Sequence, residues 1–317
     1  MSSPVRIGTR ASMLARAQSS LVADTFAAAT GRAIELVEIS TRGDVDRAPL
    51  SSIGGTGVFT SALRSALLAD WIDSAVHSLK DRPTAAADGL CLAAVPHRED
   101  PRDALVASAG RTLGELAVGS TVGTGSPRRA AQLSALGLGL EIVDLRGNVD
   151  SRLGKVHDGL LDAVVLARAG LARLGRLDEI TEVLDPLQML PAPGQGALGV
   201  ECRAGDPLAD ELRAVLDDPA TRTAVTAERA FLGAVEAGCS APLGALAEQV
   251  SVDPDGGDET DELWLRGVIV EPSGHPVIRL STTGSPLEPE QVGHKLATEM
   301  LAEGAAPLLA GRTESEP

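Results

Sequence analysis

The sequence predicts an α/β protein of two similar units followed by a smaller α+β domain. Three observations predict it: strands and helices alternate through the first two thirds, the alternation restarts near residue 100, and its character changes after about residue 220. Val5 to Gly8 reads as a strand, and the turn Thr9 to Ser12 opens a helix from about Met13 to Ala29, with Leu14, Leu21 and Val22 near one face and Gly31 ending it. Ile34 to Ile39 is a second strand. Residues 43 to 57 lack apolar periodicity, and their glycines, proline and length read as a mobile lid. A helix from Ser61 to Leu68 leads into the apolar run from Ala75 to Leu79, which stops abruptly at Lys80, Asp81, Arg82 and Pro83.

The pattern then begins again. Ala104 to Ala107 reads as a strand, Thr112 and Glu115 as a capping box, and Ser120 to Val122 as another strand. A helix after Ser126, a strand at Ile142 to Leu145, a helix from about Val149 and the apolar run Ala163 to Ala167 continue it. The glycine-rich Gly194 to Gly196 passes into a strand-like stretch ending at Cys202, a return crossing to the first domain. Such alternation implies mostly parallel sheets with helices on both faces. Beyond residue 220 a helix from Ala224 to Ala237 ends at Gly238-Cys239, and Leu263 to Val270 pairs with Val277 to Leu280 as a hairpin. The acidic run Ser251 to Glu262 reads as a surface loop, and Gly311 to Pro317 as a tail.

With 44% hydrophobic and 23% charged residues, the 317-residue chain has the composition of a soluble globular protein. Two Trp, three Phe and no Tyr leave little to stack on bases, and a net charge of −16 opposes polyanionic partners. Neither nucleic acid nor a membrane surface is expected. No signal peptide is legible and no apolar run reaches the ~18 residues of a spanning helix, so a cytoplasmic protein is expected. Cys91, Cys202 and Cys239 are odd in number, widely spaced and without a C-x-x-C pair, which reads as reduced thiols and no metal site. Cys91 and Cys202 read as buried structural thiols. Only Lys80, Lys155 and Lys295 among 28 basic residues are lysines, so the positive charge is mostly the planar fork that suits carboxylates and phosphates.

Asp81 ends a buried strand, and in α/β sheets that end faces the ligand crevice. Taken alone, the segment also reads as a solvated turn with an incidental ion pair. Thr124-Gly125-Ser126-Pro127-Arg128-Arg129 follows a strand and opens a helix, with Ser126 suited to the N-cap and Pro127 to the first helical position. Free backbone N–H groups favour an anion there, and two arginines in the first turn are badly placed against the dipole unless an anion answers them; two solvated arginines is the plainer reading. Arg146 and Arg152 repeat the design around a Gly-Asn turn at the next strand end. With Arg10 and Arg173 they would put several guanidiniums on one rim of the crevice, facing a ligand with several carboxylates or phosphates. Cys239 stands at a helix-to-loop junction, either as an inert surface thiol or as a covalent anchor; a helix C-terminus does not activate a thiol as an N-terminus would.

Five stretches, Val76 to Pro83, Thr124 to Arg129, Arg146 to Val149, Pro193 to Ala197 and Gly238 to Gly244, resemble in order the motifs of the porphobilinogen deaminase (hydroxymethylbilane synthase) family. The resemblance covers nearly the whole chain. It implies two α/β domains like type II periplasmic-binding proteins, residues 1–98 with 197–216 and residues 99–196, plus a small C-terminal α+β domain, residues 217–317. The implied activity condenses four porphobilinogen molecules head to tail onto a Cys-linked dipyrromethane, with loss of ammonia, and releases hydroxymethylbilane by hydrolysis. Its product would pass to uroporphyrinogen-III synthase, and the chain would be a monomer. Cys239 matches the cysteine that carries dipyrromethane by a thioether, and Asp81 the catalytic aspartate. Arg10, Ser12, Lys80, Ser126, Arg128, Arg129, Arg146, Arg152 and Arg173 match positions that hold acetate and propionate groups; Gln18, Thr124 and Gln195 fall in matching segments. Two departures stand out. Thr56 replaces a lysine that the family often has, so no carboxylate contact carries over there, and Met13 stands where proline is frequent.

The chemistry of that reaction asks for these residue types. Porphobilinogen must lose ammonia to give an azafulvene-like electrophile, so positive charge develops on pyrrole nitrogens and a carboxylate must lie beside them. Asp81 can stabilise that charge and shuttle protons if Lys80 and Arg82 keep it ionised. Two other readings compete. A non-catalytic organic-anion-binding protein of periplasmic-binding-like fold would use the same arginines but leave the domain with Cys239 unexplained. A cysteine hydrolase or transferase would pair Cys239 with His77, His97, His157, His275 or His294.

Overall fold

The computed structural model describes residues 3–40, 60–235, 241–252 and 260–309. The expected lid at 43 to 57, Cys239 and the tail from Gly311 lie outside the described residues. The chain forms two compact units: Met1–Pro101 with Ala169–Arg176 and Gly194–Arg222, and Arg102–Arg168 with Leu177–Pro193 and Thr223–Pro317.

In the first unit β1 (Val5–Thr9) pairs in parallel with β2 (Ile34–Glu38) and β3 (Ser74–Ser78), and β10 (Leu198–Arg203) runs antiparallel between β3 and β4 (Leu90–Ala94). The second unit repeats the scheme. There β6 (Thr121–Thr124) lies parallel to β7 (Glu141–Asp144) and β8 (Ala163–Ala167), while β5 (Asp103–Ala107) runs antiparallel between β8 and β9 (Glu182–Val183). Each sheet is therefore mixed, where mostly parallel pairing was expected. The returning strand enters by a loop and not by a crossover helix, and a loop entry permits antiparallel pairing.

Local chemistry sets the helix ends. In α1 (Met13–Thr30) the Ser12 hydroxyl accepts from Ala15 N at 3.2 Å, and Gly31 closes the helix at φ 69°. Its buried side is Gln18, Ser19, Val22, Ala23 and Phe26; Leu21, expected inside, is 53% exposed because it falls outside the 18/22/26 and 19/23 rows. Phe26 and Val22 pack with Ile7, Leu198 and Val200 on one face of the sheet. On the other, α2 (Ser61–Leu68) inserts Leu63 and Leu67 beside Ile72 and Ala75. Each such fully buried aliphatic or aromatic side chain contributes about 1.5–3 kcal/mol.

In the second unit α3 (Pro127–Ala135) follows β6 and α4 (Val149–His157) follows β7; α5 (Arg168–Arg173) begins directly after β8, and its residues from Ala169 on belong to the first unit. The C-terminal portion is an antiparallel sheet, β11 (Leu243–Val252), β12 (Thr260–Val270) and β13 (Val277–Gly284). Phe231, Leu265, Ile269, Leu296 and Met300 form its core with the helices Pro219–Ala234 and Pro289–Ala302. The loop expected at Ser251 to Glu262 is corrected at both ends, since β11 runs through Val252 and β12 starts at Thr260; residues 253–259 lie outside the described residues. Leu246, Val268 and Val270 pack on Ala131 and Leu190.

Candidate active site

The apolar run before Asp81 is strand β3, and Leu79–Asp81 form a 3-10 turn at its end, closed by Arg82 N donating to Leu79 O at 3.2 Å. Leu79 is fully buried and plugs the turn into the core, with its N–H on Ala197 O at 3.0 Å. Lys80 Nζ donates to Gln195 Oε1 at 3.2 Å, and the buried Gln195 amide donates in turn to Pro101 O at 2.7 Å. That tight loop requires Gly196, at φ 85°, because a Cβ there would lie 2.3 Å from Glu99 O. Asp81 itself is partly exposed.

β1 and β3 are parallel neighbours, so Arg10, just past β1, and Asp81, just past β3, leave the sheet at the same edge. Ser12 caps α1 and Gln18 is buried one turn further on. Arg173 Nη2 donates to Gly196 O at 2.6 Å; burial lowers its pKa and Glu99 opposes the shift. The first unit thus gathers Arg10, Ser12, Gln18, Lys80, Asp81, Arg173 and Gln195.

One expectation about this turn changes. Arg82 was expected to act on Asp81, but its guanidinium is buried, with Nε and Nη2 each 2.8 Å from Glu201 Oε1. Glu201, fully buried on β10, also receives Arg64 Nη2 on Oε1 at 2.8 Å and Arg64 Nε on Oε2 at 3.1 Å. His77 Nε2 lies 3.0 Å from Oε2, which turns the imidazole nearest Asp81 in sequence toward a structural carboxylate. Burial pushes the Glu201 pKa up, yet the adjacent His77 ring, the Arg64 hydrogen bonds and the charge of Arg82 hold it far below the ordinary carboxylate range.

In the second unit Thr124 ends β6, Ser126, Arg128 and Arg129 follow it, and Arg146 and Arg152 follow its parallel neighbour β7. Ser126 is the N-cap, with Pro127 in the first turn as its sequence implied, and Thr124 Oγ1 accepts from Ser126 N at 3.2 Å. Asn148 caps α4 by accepting from Ser151 N at 2.8 Å, after Gly147 has turned the chain at φ 117°. An anion answers the two first-turn arginines from within the fold. Arg128 Nη2 reaches Asp103 Oδ2 at 2.7 Å, Arg129 Nε and Nη2 reach Oδ1 at 3.0 and 2.8 Å, and all three residues are buried. Arg128 Nη1 and Arg129 Nη1 donate to Leu190 O and Val165 O. Burial draws the Arg128 pKa down, and Asp103 opposes that.

Arg152 is the electrostatic exception. Burial first, then the positive charges of Arg129 and Arg146, draw its pKa down to about 10, with only Asp144 opposing. Positive charge gathered in this way suits carboxylates or phosphates.

Asp103, Glu201 and Arg64 were not singled out from sequence. A carboxylate set in an otherwise apolar strand, as in Asp103-Ala104-Leu105-Val106 and Gly199-Val200-Glu201-Cys202, was the available signal, because a buried charge demands a partner. Among the described residues no helix is long and apolar enough to cross a membrane.

Comparison with known proteins bears on the same residues. The family model "Porphobilinogen deaminase, dipyromethane cofactor binding domain" matches residues 5–211, and "Porphobilinogen deaminase, C-terminal domain" matches residues 222–302. Porphobilinogen deaminase of Mycobacterium tuberculosis is 58% identical over 308 residues, covering 97% of this chain and 99% of its own. That of Nocardia farcinica is 56% identical over 314 residues, covering 99% and 90%. Among solved structures, an ABC transporter periplasmic substrate-binding protein from Coxiella burnetii is similar over 69% of this chain and 94% of its own, at 14% identity and a TM-score of 0.44. Both family models and near-full-length identity above one half place this chain in the porphobilinogen deaminase family.

Proposed function

We propose that the chain is a transferase that joins four porphobilinogen molecules head to tail, expelling ammonia at each step, and releases hydroxymethylbilane by hydrolysis. One observation carries the reading: Ser126, Arg128, Arg129, Arg146 and Arg152 stand at the ends of two parallel neighbouring strands, β6 and β7, a donor set that suits a polycarboxylate. Porphobilinogen brings two carboxylates with every ring, so the demand for guanidiniums grows as the product does.

The donor set also fits dipyrromethane, which carries acetates and propionates. Cys239 is assigned as its thioether attachment. Arg10, Ser12, Gln18, Lys80, Thr124, Ser126, Arg128, Arg129, Arg146, Arg152, Arg173 and Gln195 are assigned to its carboxylates and to those of the substrate. When bound, the group supplies the pyrrole position at which growth starts. Asp81 is assigned the catalytic role: a carboxylate beside a developing pyrrolic cation that stabilises its charge, accepts the proton it sheds and returns it. Lys80, held by Gln195, adds a positive charge next to it. The reading includes three domains with boundaries at 1–98 with 197–216, 99–196 and 217–317, a monomeric cytoplasmic enzyme, and transfer of the product to uroporphyrinogen-III synthase.

Intact-mass measurement with turnover tests it. The purified protein should exceed its sequence mass by one dipyrrole located on the Cys239 peptide, and Cys239→Ser should lose the addition. Asp81→Ala should keep it and lose roughly 10²–10⁴ in turnover. Full activity of Asp81→Ala would sink the assignment.

A further inference from the structure

Arg82 and Glu201 have no part in the chemistry assigned above, yet Arg82 adjoins its central residue in the chain. We infer that Arg82, locked to Glu201, is a positioning residue for Asp81; this rests on the deaminase reading.

The turn that carries Asp81 is anchored unevenly. On its N-terminal side it continues β3, and Leu79 is both buried and bonded to Ala197 O. On its C-terminal side Pro83 cannot donate a backbone hydrogen bond, and Thr84, Ala85 and Ala86 are exposed before β4 begins at Leu90. The Arg82 side chain supplies a fixed point there. It is adjacent to Asp81, buried, and doubly bonded to a carboxylate in the middle of β10, where Glu201 is paired with Ala75 of β3 and Leu92 of β4. A residue one bond along the chain from Asp81 is thus tied to the interior of the sheet.

Arginine suits this place where lysine would not, since its fork delivers two donors in a fixed plane.

Removing the Arg82 guanidinium leaves Glu201 with both Arg64 donors, one on each oxygen, so the buried carboxylate stays answered and the sheet stays intact. What is lost is the hold on the turn. Displacing a catalytic group by about 1 Å costs up to about 100-fold in rate.

The test compares wild-type holoenzyme with Arg82→Met and Arg82→Lys in kcat, KM for porphobilinogen, intact mass and thermal midpoint. Arg82→Met should carry the same mass addition and melt within a few degrees of the wild type, with kcat down about 10–100-fold and KM within about twofold. Arg82→Lys, with one donor in place of two, should recover part of that loss. If Arg82→Met does not fold, Arg82→Lys alone decides, with kcat expected about 3–10-fold below the wild type. A kcat within twofold of the wild type, a change confined to KM, or a loss that follows the unfolded fraction overturns the assignment. A wild-type protein with neither mass addition nor turnover overturns the deaminase reading itself, and this inference with it.

Discussion

Arg129 places two donors, Nε and Nη2, on a single oxygen of Asp103, at 3.0 and 2.8 Å, in a region where both side chains are buried. Arg128 takes the other oxygen at 2.7 Å. The helix N-terminus that invites an anion is therefore armed by two cations held in place by a third residue. Asp103→Asn removes the charge and keeps the shape, leaving two desolvated guanidiniums without an anion. Its cost should be about 3–5 kcal/mol, read as a lowered urea midpoint. Stability within about 1 kcal/mol of the wild type would show that the triad is not the structural clamp described.

Arg152 should behave in the opposite sense. Replacing it by Leu removes a guanidinium crowded by Arg129 and Arg146, so the folded protein should be as stable as the wild type or slightly more so. The charge-assisted hydrogen bond to a substrate carboxylate that disappears with it, worth about 1.5–3 kcal/mol, corresponds to about a 10–100-fold fall in kcat/KM for porphobilinogen. Unchanged kcat/KM would remove Arg152 from the ligand site.

Much of this was legible because local chemistry and tertiary structure agree. Ser12, Ser126 and Asn148 cap the helices that follow β1, β6 and β7, and the Thr112 and Glu115 capping box forms as its residue types require. The restart near residue 100 is real as a second sheet with the same strand pattern. Strand β11 was hidden because Leu243-Gly244-Ala245-Leu246-Ala247 has few β-branched or aromatic residues and pairs chiefly through its partner β12. The antiparallel course of β10 depends on a return from a distant segment, which no local pattern encodes. In the site, the residues assigned to ligand under the proposed function were nominated from charge at strand ends. The residues that hold them, Asp103 and Glu201, could not, because burial and pairing arise only on folding.

Glu201 gives a pH prediction of definite sign. Its pKa is depressed in the folded state, so its contribution to stability is fully present above the unfolded glutamate value of about 4.3 and is lost as pH falls below that toward the folded value. The difference in urea midpoint between the wild type and Glu201→Gln should be constant from about pH 7 to 5.5 and shrink below about pH 4.5. A difference that instead grew on acidification would mean that the carboxylate is not the ionised partner of Arg64 and Arg82.

The two described thiols should separate by reactivity. Cys202 is fully buried and Cys91 only partly so, a correction to the expectation that both are buried, and their sulfurs lie 3.6 Å apart in register across β10 and β4. Burial first, then the neighbouring Cys91, pushes the Cys202 thiol up to about 12. The thiolate is the nucleophile, so at pH 8 Cys202 should alkylate roughly a thousandfold more slowly than an ordinary thiol of pKa about 8.5. Peptide mass mapping after a timed pulse of iodoacetamide should find Cys202 unmodified in native protein and fully modified in urea, with Cys91 labelled first. Equal native labelling of the two would mean that the edge strand β4 opens readily from β10.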